Sequence, residues 1–217
     1  MVLAPLLAGA LAATCPGNLP ATGGAQLITV DAAGPRTTYA TVRTWRRSGA
    51  CWTRAGGPYP ARVGRNGLRR HRREGDGTTP MGTFPIGPVM YGNLPNPGVR
   101  FRYRRLRCGD WWVEDPASPA YNTFRHVPCG RRPPFRTTTP DMSKSPRAYA
   151  HLAVVEFNMH PVVGGRGSGI FLHAQTGGPT NGCISLRRGD LVSVLRWLAP
   201  RAAPRIVIRV RSNRRSP

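Results

Sequence analysis

Apolar and β-branched residues first gather at Gln26-Leu27-Ile28-Thr29-Val30, a run short enough and rich enough in such residues to predict a strand. Between Thr38 and Arg46 the pattern alternates. Tyr39, Thr41, Arg43 and Trp45 fall on one face and Ala40, Val42 and Thr44 on the other, with Ala33-Gly34-Pro35 as a turn between the two runs, so a β-hairpin is expected. Leu152 to Phe157, Ile170 to Ala174 and Arg205 to Val210 are further strand-like runs. The period changes only once. Leu191, Val194, Leu195 and Leu198 recur at i, i+3, i+4 and i+7, after Asp190 as expected N-cap and before Pro200, which predicts the one principal helix, near the C-terminus. Arg131 to Pro146 carries four prolines and predicts an irregular stretch that serves as a lid or a substrate-facing wall. The expected fold class is mainly β, and 26 glycines and 23 prolines in 217 residues fit a loop-rich β protein.

The leader and the cysteines bear on compartment. Val2 to Ala13 is an apolar run too short to span a bilayer, and Ala10-Leu11-Ala12 has the small-x-small form of a signal peptidase site. Residues 1–12 are therefore expected to be a signal peptide and 13–217 one catalytic domain, although no basic residue precedes the run. The alternatives are a buried N-terminal element or an acylated Cys15. Five cysteines, Cys15, Cys51, Cys108, Cys129 and Cys183, leave one thiol over in an exported protein. Cys108 with Cys129 and Cys15 with Cys51 are the expected disulfides; a zinc site from Cys108, His126 and Cys129 competes but lacks a fourth ligand, so no metal is expected. The formal charge of +23 rests almost wholly on arginine and suits a polyanionic partner. Arg69 to Arg73 is expected to be a solvated basic loop. Aromatic residues are not interleaved with the arginines as a nucleic-acid stacking platform requires, so anionic wall polymers are expected rather than nucleic acid.

The chemistry concentrates in one block. Gly169-Ile170-Phe171-Leu172 delivers His173, and Gly177-Gly178-Pro179-Thr180-Asn181-Gly182 leads to Cys183. Cys–His catalysis needs a base near a thiol and a pliant backbone just before it. Gly182, with Asn181 and Thr180 on the rim, lets N–H groups around Cys183 converge on an oxyanion. No acidic residue lies between Ser168 and Arg188, so a backbone carbonyl is expected to orient His173, and His173 is expected to lower the pKa of Cys183. A buried cysteine and a hydrogen-bonded core histidine are the bland alternative. Ser168, Ser185, Arg187 and Tyr121 are candidate substrate contacts, Arg187 through a carboxylate. Asn122, Trp111 and Trp112 can line the groove, core packing being the stronger expectation for the tryptophans. Structural roles are expected for His151 and His160.

These residues resemble the L,D-transpeptidase (YkuD-like) catalytic domain. Thr180-Asn181-Gly182-Cys183 is similar to its Ser/Thr-x-Gly-Cys segment, Phe171-Leu172-His173 to its histidine strand, and Gly75-Asp76-Gly77-Thr78-Thr79-Pro80-Met81-Gly82-Thr83-Phe84 to its Gly-Asp-x-x-Thr-Pro-x-Gly-x-Phe element. The blocks stand in the family's order, and the likeness covers roughly residues 26 to 210. Asn181 stands where many members carry histidine, Ser185 where many carry arginine, and the stretch from His173 to Cys183 is shorter, which marks a divergent short-loop branch. The resemblance implies a β-sandwich-like domain that acts on peptidoglycan stem tetrapeptides; no cofactor is expected, and the protein is expected to be a secreted, wall-associated monomer. The resemblance also implies attack of the Cys183 thiolate on the bond before D-Ala, an acyl-enzyme, and a 3→3 cross-link when a second stem's amine completes the transfer. Hydrolysis by the same site, as an L,D-carboxypeptidase or amidase, is the alternative, and a non-catalytic arginine-rich wall- or nucleic-acid-binding protein is the third reading.

The cysteine arithmetic predicts that Cys183 is the only thiol labelled in the oxidised, folded protein. Alkylation followed by peptide mass mapping checks it: label on any other cysteine, or none on Cys183, contradicts the pairing scheme.

Overall fold

The computed structural model describes residue 19 and residues 22–211. The expected signal peptide and Cys15 lie outside the described residues. The strands are β1 (Gln26–Ala32), β2 (Tyr39–Ser48), β3 (Cys51–Arg62), β4 (Leu68–Arg69), β5 (Thr79–Pro80), β6 (Gly82–Gly92) and β7 (Arg102–Arg105). After them come β8 (Asp110–Trp112), β9 (Phe124–His126), β10 (Leu152–Val155), β11 (Phe171–Ala174), β12 (Ile184–Leu186), helix α1 (Arg188–Trp197) and β13 (Arg205–Val210). The protein is mainly β with its helix near the C-terminus.

Nine strands form one sheet in the order β10-β11-β12-β3-β2-β1-β13-β6-β7. Because β10 pairs with β6 as well as with β11, the sheet meets itself and the β10 edge is closed off. The alternating face of β2 is the reason for the expected hairpin: Ala40, Val42 and Thr44 turn inward, and β2 lies antiparallel to β1 with Val42 opposite Val30. β1 is buried along its whole length because β13 runs parallel on its other side, Ile28 opposite Ile206 and Val30 opposite Ile208.

The two faces of β10 and β11 divide the molecule. Ala153, Val155, Leu172 and Ala174 face the main core, where Leu191, Val194, Leu195 and Leu198 from α1 and its C-terminal end complete the packing. Leu152, Val154 and Phe171 face the other way, into a second cluster with Tyr91, Leu106, Trp112 and Met142. Cys183 packs on that second cluster. The main core thus supports the strands from behind while their other face is left for the site.

Two local expectations are corrected, for the helix cap and the basic run, and one is met. Asp190 does not cap the helix: α1 begins at Arg188 after Arg187, and Asp190 lies inside the first turn, where its charge complements the helix dipole. The basic run is not uniformly solvated, since Arg72 is buried with only 2% of its side chain exposed and lies within 3.7 Å of Asp76 Oδ1, whereas Arg69, Arg70 and Arg73 are exposed. Cys108 and Cys129 form a disulfide (Cα–Cα 5.3 Å) that ties the two ends of the β8–β9 hairpin, which removes both cysteines from a zinc site. His126 Nδ1 instead lies 2.8 Å from the buried carboxylate of Asp110, which also accepts from Arg104 at 3.1 Å. Cys51 is also disulfide-bonded, and Cys183 is the free cysteine among the described residues. No helix of the described residues is long and apolar enough to cross a membrane.

Leu195 is fully buried between α1 and the sheet. Leu195→Ala is expected to cost roughly 2–5 kcal/mol through lost burial and a residual cavity. Urea denaturation measures it, and a loss below about 1 kcal/mol means the helix does not complete the core as described.

Candidate active site

Parallel pairing of β11 with β12 sets the site. Leu172 lies opposite Ile184 and His173 opposite Ser185, so the residue before β12, Cys183, comes beside Phe171. The thiol is held by backbone on both sides: Phe171 N–H donates to Sγ at 3.4 Å and Sγ–H donates to Gly169 O at 3.3 Å. The loop before it is fixed through its own polar atoms. Thr180 Oγ1 donates to Cys183 O at 2.7 Å and accepts from Gly182 N at 3.1 Å. Thr79 Oγ1 lies 3.4 Å from the same Cys183 carbonyl and accepts from Gly64 N at 2.8 Å, so the Thr-Pro element supports the cysteine loop directly.

Gly182 has to be glycine. Its φ of +138° is disfavoured for other residues, and a Cβ there would lie 2.9 Å from both Arg72 Nη1 and Thr78 O. Its N–H is taken by Thr180, which leaves the Cys183 N–H, free of any hydrogen bond to a described residue, as the donor that can meet an oxyanion. Asp76 organises the turn that carries Thr78. It accepts from Arg73 N, Thr78 N and Thr78 Oγ1 at 2.9, 2.9 and 2.7 Å. Burial pushes its pKa up, but those hydrogen bonds and the Arg72 charge outweigh it and hold the carboxyl below its ordinary range.

His173 is buried, and its Nδ1–H donates to Ala174 O at 2.8 Å, a backbone carbonyl as expected. Burial lowers its pKa against the pull of the Ala174 and Ala148 carbonyls, so the ring stays neutral at neutral pH with Nε2 unprotonated. Among the described residues no hydrogen bond joins His173 to Cys183. The Tyr149 ring stands edge-on to both His173 and Phe171, 5.8 Å between centroids in each case. The expected lowering of the thiol pKa is not what this structure holds: burial first, then the Glu114 charge, push Cys183 up to about 12 against the Phe171 N–H and Arg72. The resting group is a neutral thiol.

Cys183 opens on a cavity of about 630 Å³. Its walls include Arg72, Glu74, Trp111, Glu114, Tyr149 and Ser168, and the proline-rich stretch contributes Arg136, Thr138, Thr139, Pro140 and Met142 as the expected substrate-facing wall. Ser168 Oγ donates to Glu74 at 2.7 Å, and Tyr121, buried behind the wall, donates to the same carboxylate and accepts from Gly167 N at 3.0 Å. Ser168 therefore reaches the cavity, while Tyr121 holds Glu74 from behind. Asn181 lines the rim, with Oδ1 accepting from Arg65. Ser185 is buried beside His173 and Arg187 is exposed at the helix start; neither lines the cavity. Asn122 is a structural pin, donating to Phe157 O and Asn158 O and accepting from Trp112 Nε1 and Gly169 N. Trp112 packs edge-on against Phe171 at 5.1 Å, as core packing requires. His151 is buried against the Tyr103 hydroxyl at 2.9 Å, and His160 is exposed near Glu156.

Glu74, Glu114, Arg72 and Tyr149 were not legible as site residues. One signal was present: Glu114 ends the apolar string Trp111-Trp112-Val113 in a chain with only nine acidic residues. A carboxylate in that setting is costly to bury without a purpose.

A search of curated proteins found no match. The family model of the L,D-transpeptidase catalytic domain (YkuD) matches residues 25–208, which takes in the closed sheet, the Thr-Pro element, His173 and the Cys183 loop. With that match over most of its length, the chain belongs to the L,D-transpeptidase catalytic domain family, whose chemistry is L,D-transpeptidase-type catalysis on peptidoglycan.

Proposed function

We propose that this protein forms 3→3 cross-links between peptidoglycan stem tetrapeptides through an acyl-enzyme on Cys183. The observation that carries the reading is the position of Cys183: the free cysteine of the described residues, on a loop clamped by Thr180 and Thr79, opening on the cavity. The Cys183 sulfur attacks the carbonyl before D-Ala, the C–N bond breaks and D-Ala leaves with a proton. The amine of a second stem then displaces the thiolate and forms the new amide.

The thiol has to lose its proton first, and His173 is the proposed acceptor. A neutral ring with Nδ1–H fixed on Ala174 O presents Nε2 as a base, on the strand next to Cys183. Substrate filling the cavity is proposed to turn the sulfur from Gly169 O toward that nitrogen, since catalytic hydrogen bonds often tighten only in the bound complex. The Cys183 N–H is the proposed oxyanion donor.

Secretion and wall association belong to the same proposal. A Cys108–Cys129 disulfide and a disulfide-bonded Cys51 suit an oxidising compartment, and the exposed Arg69, Arg70 and Arg73 add to a strongly cationic chain.

Mass spectrometry of the protein with a tetrapeptide stem, or with a carbapenem as acylating probe, tests the nucleophile. A mass increment on Cys183 is expected, absent in Cys183→Ala. His173→Ala is expected to slow acylation of the folded protein by about 10²–10⁴ and to lower the melting temperature, because the ring is buried and hydrogen-bonded; acylation at the wild-type rate removes His173 as base. Retention on isolated sacculi is expected to fall steeply as salt rises, because exposed charges are screened within about 8–10 Å near physiological ionic strength. Salt-independent retention means that the arginines do not hold the enzyme on the wall.

A further inference from the structure

Within the cavity each carboxylate except one is already engaged. Glu74 accepts from Tyr121 and Ser168, and Asp115 accepts from Ala117 N at 3.1 Å and Arg136 N at 3.0 Å. Glu114 accepts no hydrogen bond from any described residue and forms no ion pair, although it is half-buried in the wall of the cavity. It lies close to the reacting sulfur: a Cβ placed on Gly169 would stand 3.0 Å from Glu114 Oε1, and Gly169 O is the acceptor of the Cys183 thiol. A carboxylate with free lone pairs beside a thioester site is suited to a cationic partner.

A second feature points to the same occupant from the opposite charge. Arg72 is only 2% exposed at its side chain, lines the cavity, and has Nε and Nη1 without any hydrogen-bond partner. Its ion pair with Asp76 is long, at 3.7 Å. Unsatisfied buried donors cost about 1–3 kcal/mol each, and an anion near this guanidinium would offset that cost through its charge. The wall thus offers one cavity an unpaired anion and a cation whose single ion pair is long.

We propose that Glu114 is the residue that receives the acceptor amine: it binds the incoming ammonium and takes its proton, while Arg72 faces a carboxylate borne near that amine. This rests on the acyl-enzyme reading above and assigns its second half-reaction. Glu114 carboxylate removes one proton from R–NH3⁺; the freed lone pair attacks the Cys183 thioester carbonyl, the C–N bond forms and the C–S bond breaks. The nitrogen's second surplus proton goes to the departing sulfur. The products are the amide, the Cys183 thiol and protonated Glu114, which returns its proton to water.

The groups facing Glu114 set its titration. Burial and the neighbouring Glu74 charge raise its pKa and Arg72 lowers it, for a value of about 7; Cys183 and Tyr149 also feel its charge. A base must be ionised to work, so its share of the rate is present above that value and lost as pH falls through it. A general base poised near 7 is matched to neutral pH.

Partitioning of the acyl-enzyme tests the assignment. The full protein is given a tetrapeptide donor with D-methionine, which carries ammonium and carboxylate on one carbon, or with water alone, and amide and hydrolysis products are counted across pH 5.5–9, a range chosen to bracket about 7. At saturating donor, Glu114→Gln is expected to lower the ratio of amide to hydrolysis product about 100-fold, whatever its acylation rate, and to lose the pH break in that ratio near neutrality. Glu114→Asp is expected to recover part of the amide rate, which a merely structural role would not predict. An unchanged ratio of amide to hydrolysis in Glu114→Gln, or a pH break that persists there, overturns the proposal. If Glu114→Gln does not fold, Glu114→Asp decides it: a wild-type ratio together with an unmoved pH break overturns the proposal. A wild type that never acylates on Cys183 overturns the acyl-enzyme reading, an outcome separate from failed partitioning.

Discussion

The parallel contact between β11 and β12 is the constraint from which the site is built. Strand alternation leaves no freedom once Leu172 is opposite Ile184: Leu172, Ala174, Ile184 and Leu186 go into the main core, and Phe171 and His173 go to the other face with Cys183 beside them. A one-residue slip would bury the thiol among the core residues and expose leucines. The main core on α1 therefore fixes the register of the chemistry without touching it. Parallel strands need a connection that crosses back, and the Gly-rich segment from Gly177 to Gly182 supplies it in a short span.

That short connection has to be stiffened from outside, and the Thr-Pro element does this. Thr79 and Thr180 meet at the Cys183 carbonyl, Gly64 pairs with Thr180, and Asp76 closes the turn that presents Thr78 and Thr79. The result is a cysteine whose carbonyl is pinned twice and whose N–H is left free. Arg72 lies against Gly182, so the guanidinium beside the Cys183 loop comes from a distant part of the chain.

The resting electrostatics favour storage over attack. A neutral thiol on a backbone carbonyl, a neutral imidazole on another, and a tyrosine ring beside the imidazole protect the cysteine from adventitious chemistry. Displacing water by substrate in such a cavity would strengthen every remaining polar interaction, which is the trigger for proton transfer in the proposed mechanism.

Much of this was legible in the sequence, and for local reasons. Alternation in β2, the i, i+3, i+4, i+7 leucines and valine of α1, and the Gly-rich approach to Cys183 are patterns that backbone geometry reads within one element. The carbonyl partner of His173 followed from the absence of acids between Ser168 and Arg188. The helix start was displaced by three residues because Asp190 stabilises a first turn as well from within as from a cap. What the sequence could not show was the meeting of residues from separate segments. Arg72 looks like one of four solvated arginines until Asp76 and Gly182 enclose it, and Glu114 looks like the end of a buried strand until Gly169 brings Cys183 to its side. Burial and charge at those positions belong to the assembled cavity, because desolvation depends on every element packed around a group and on none of them alone.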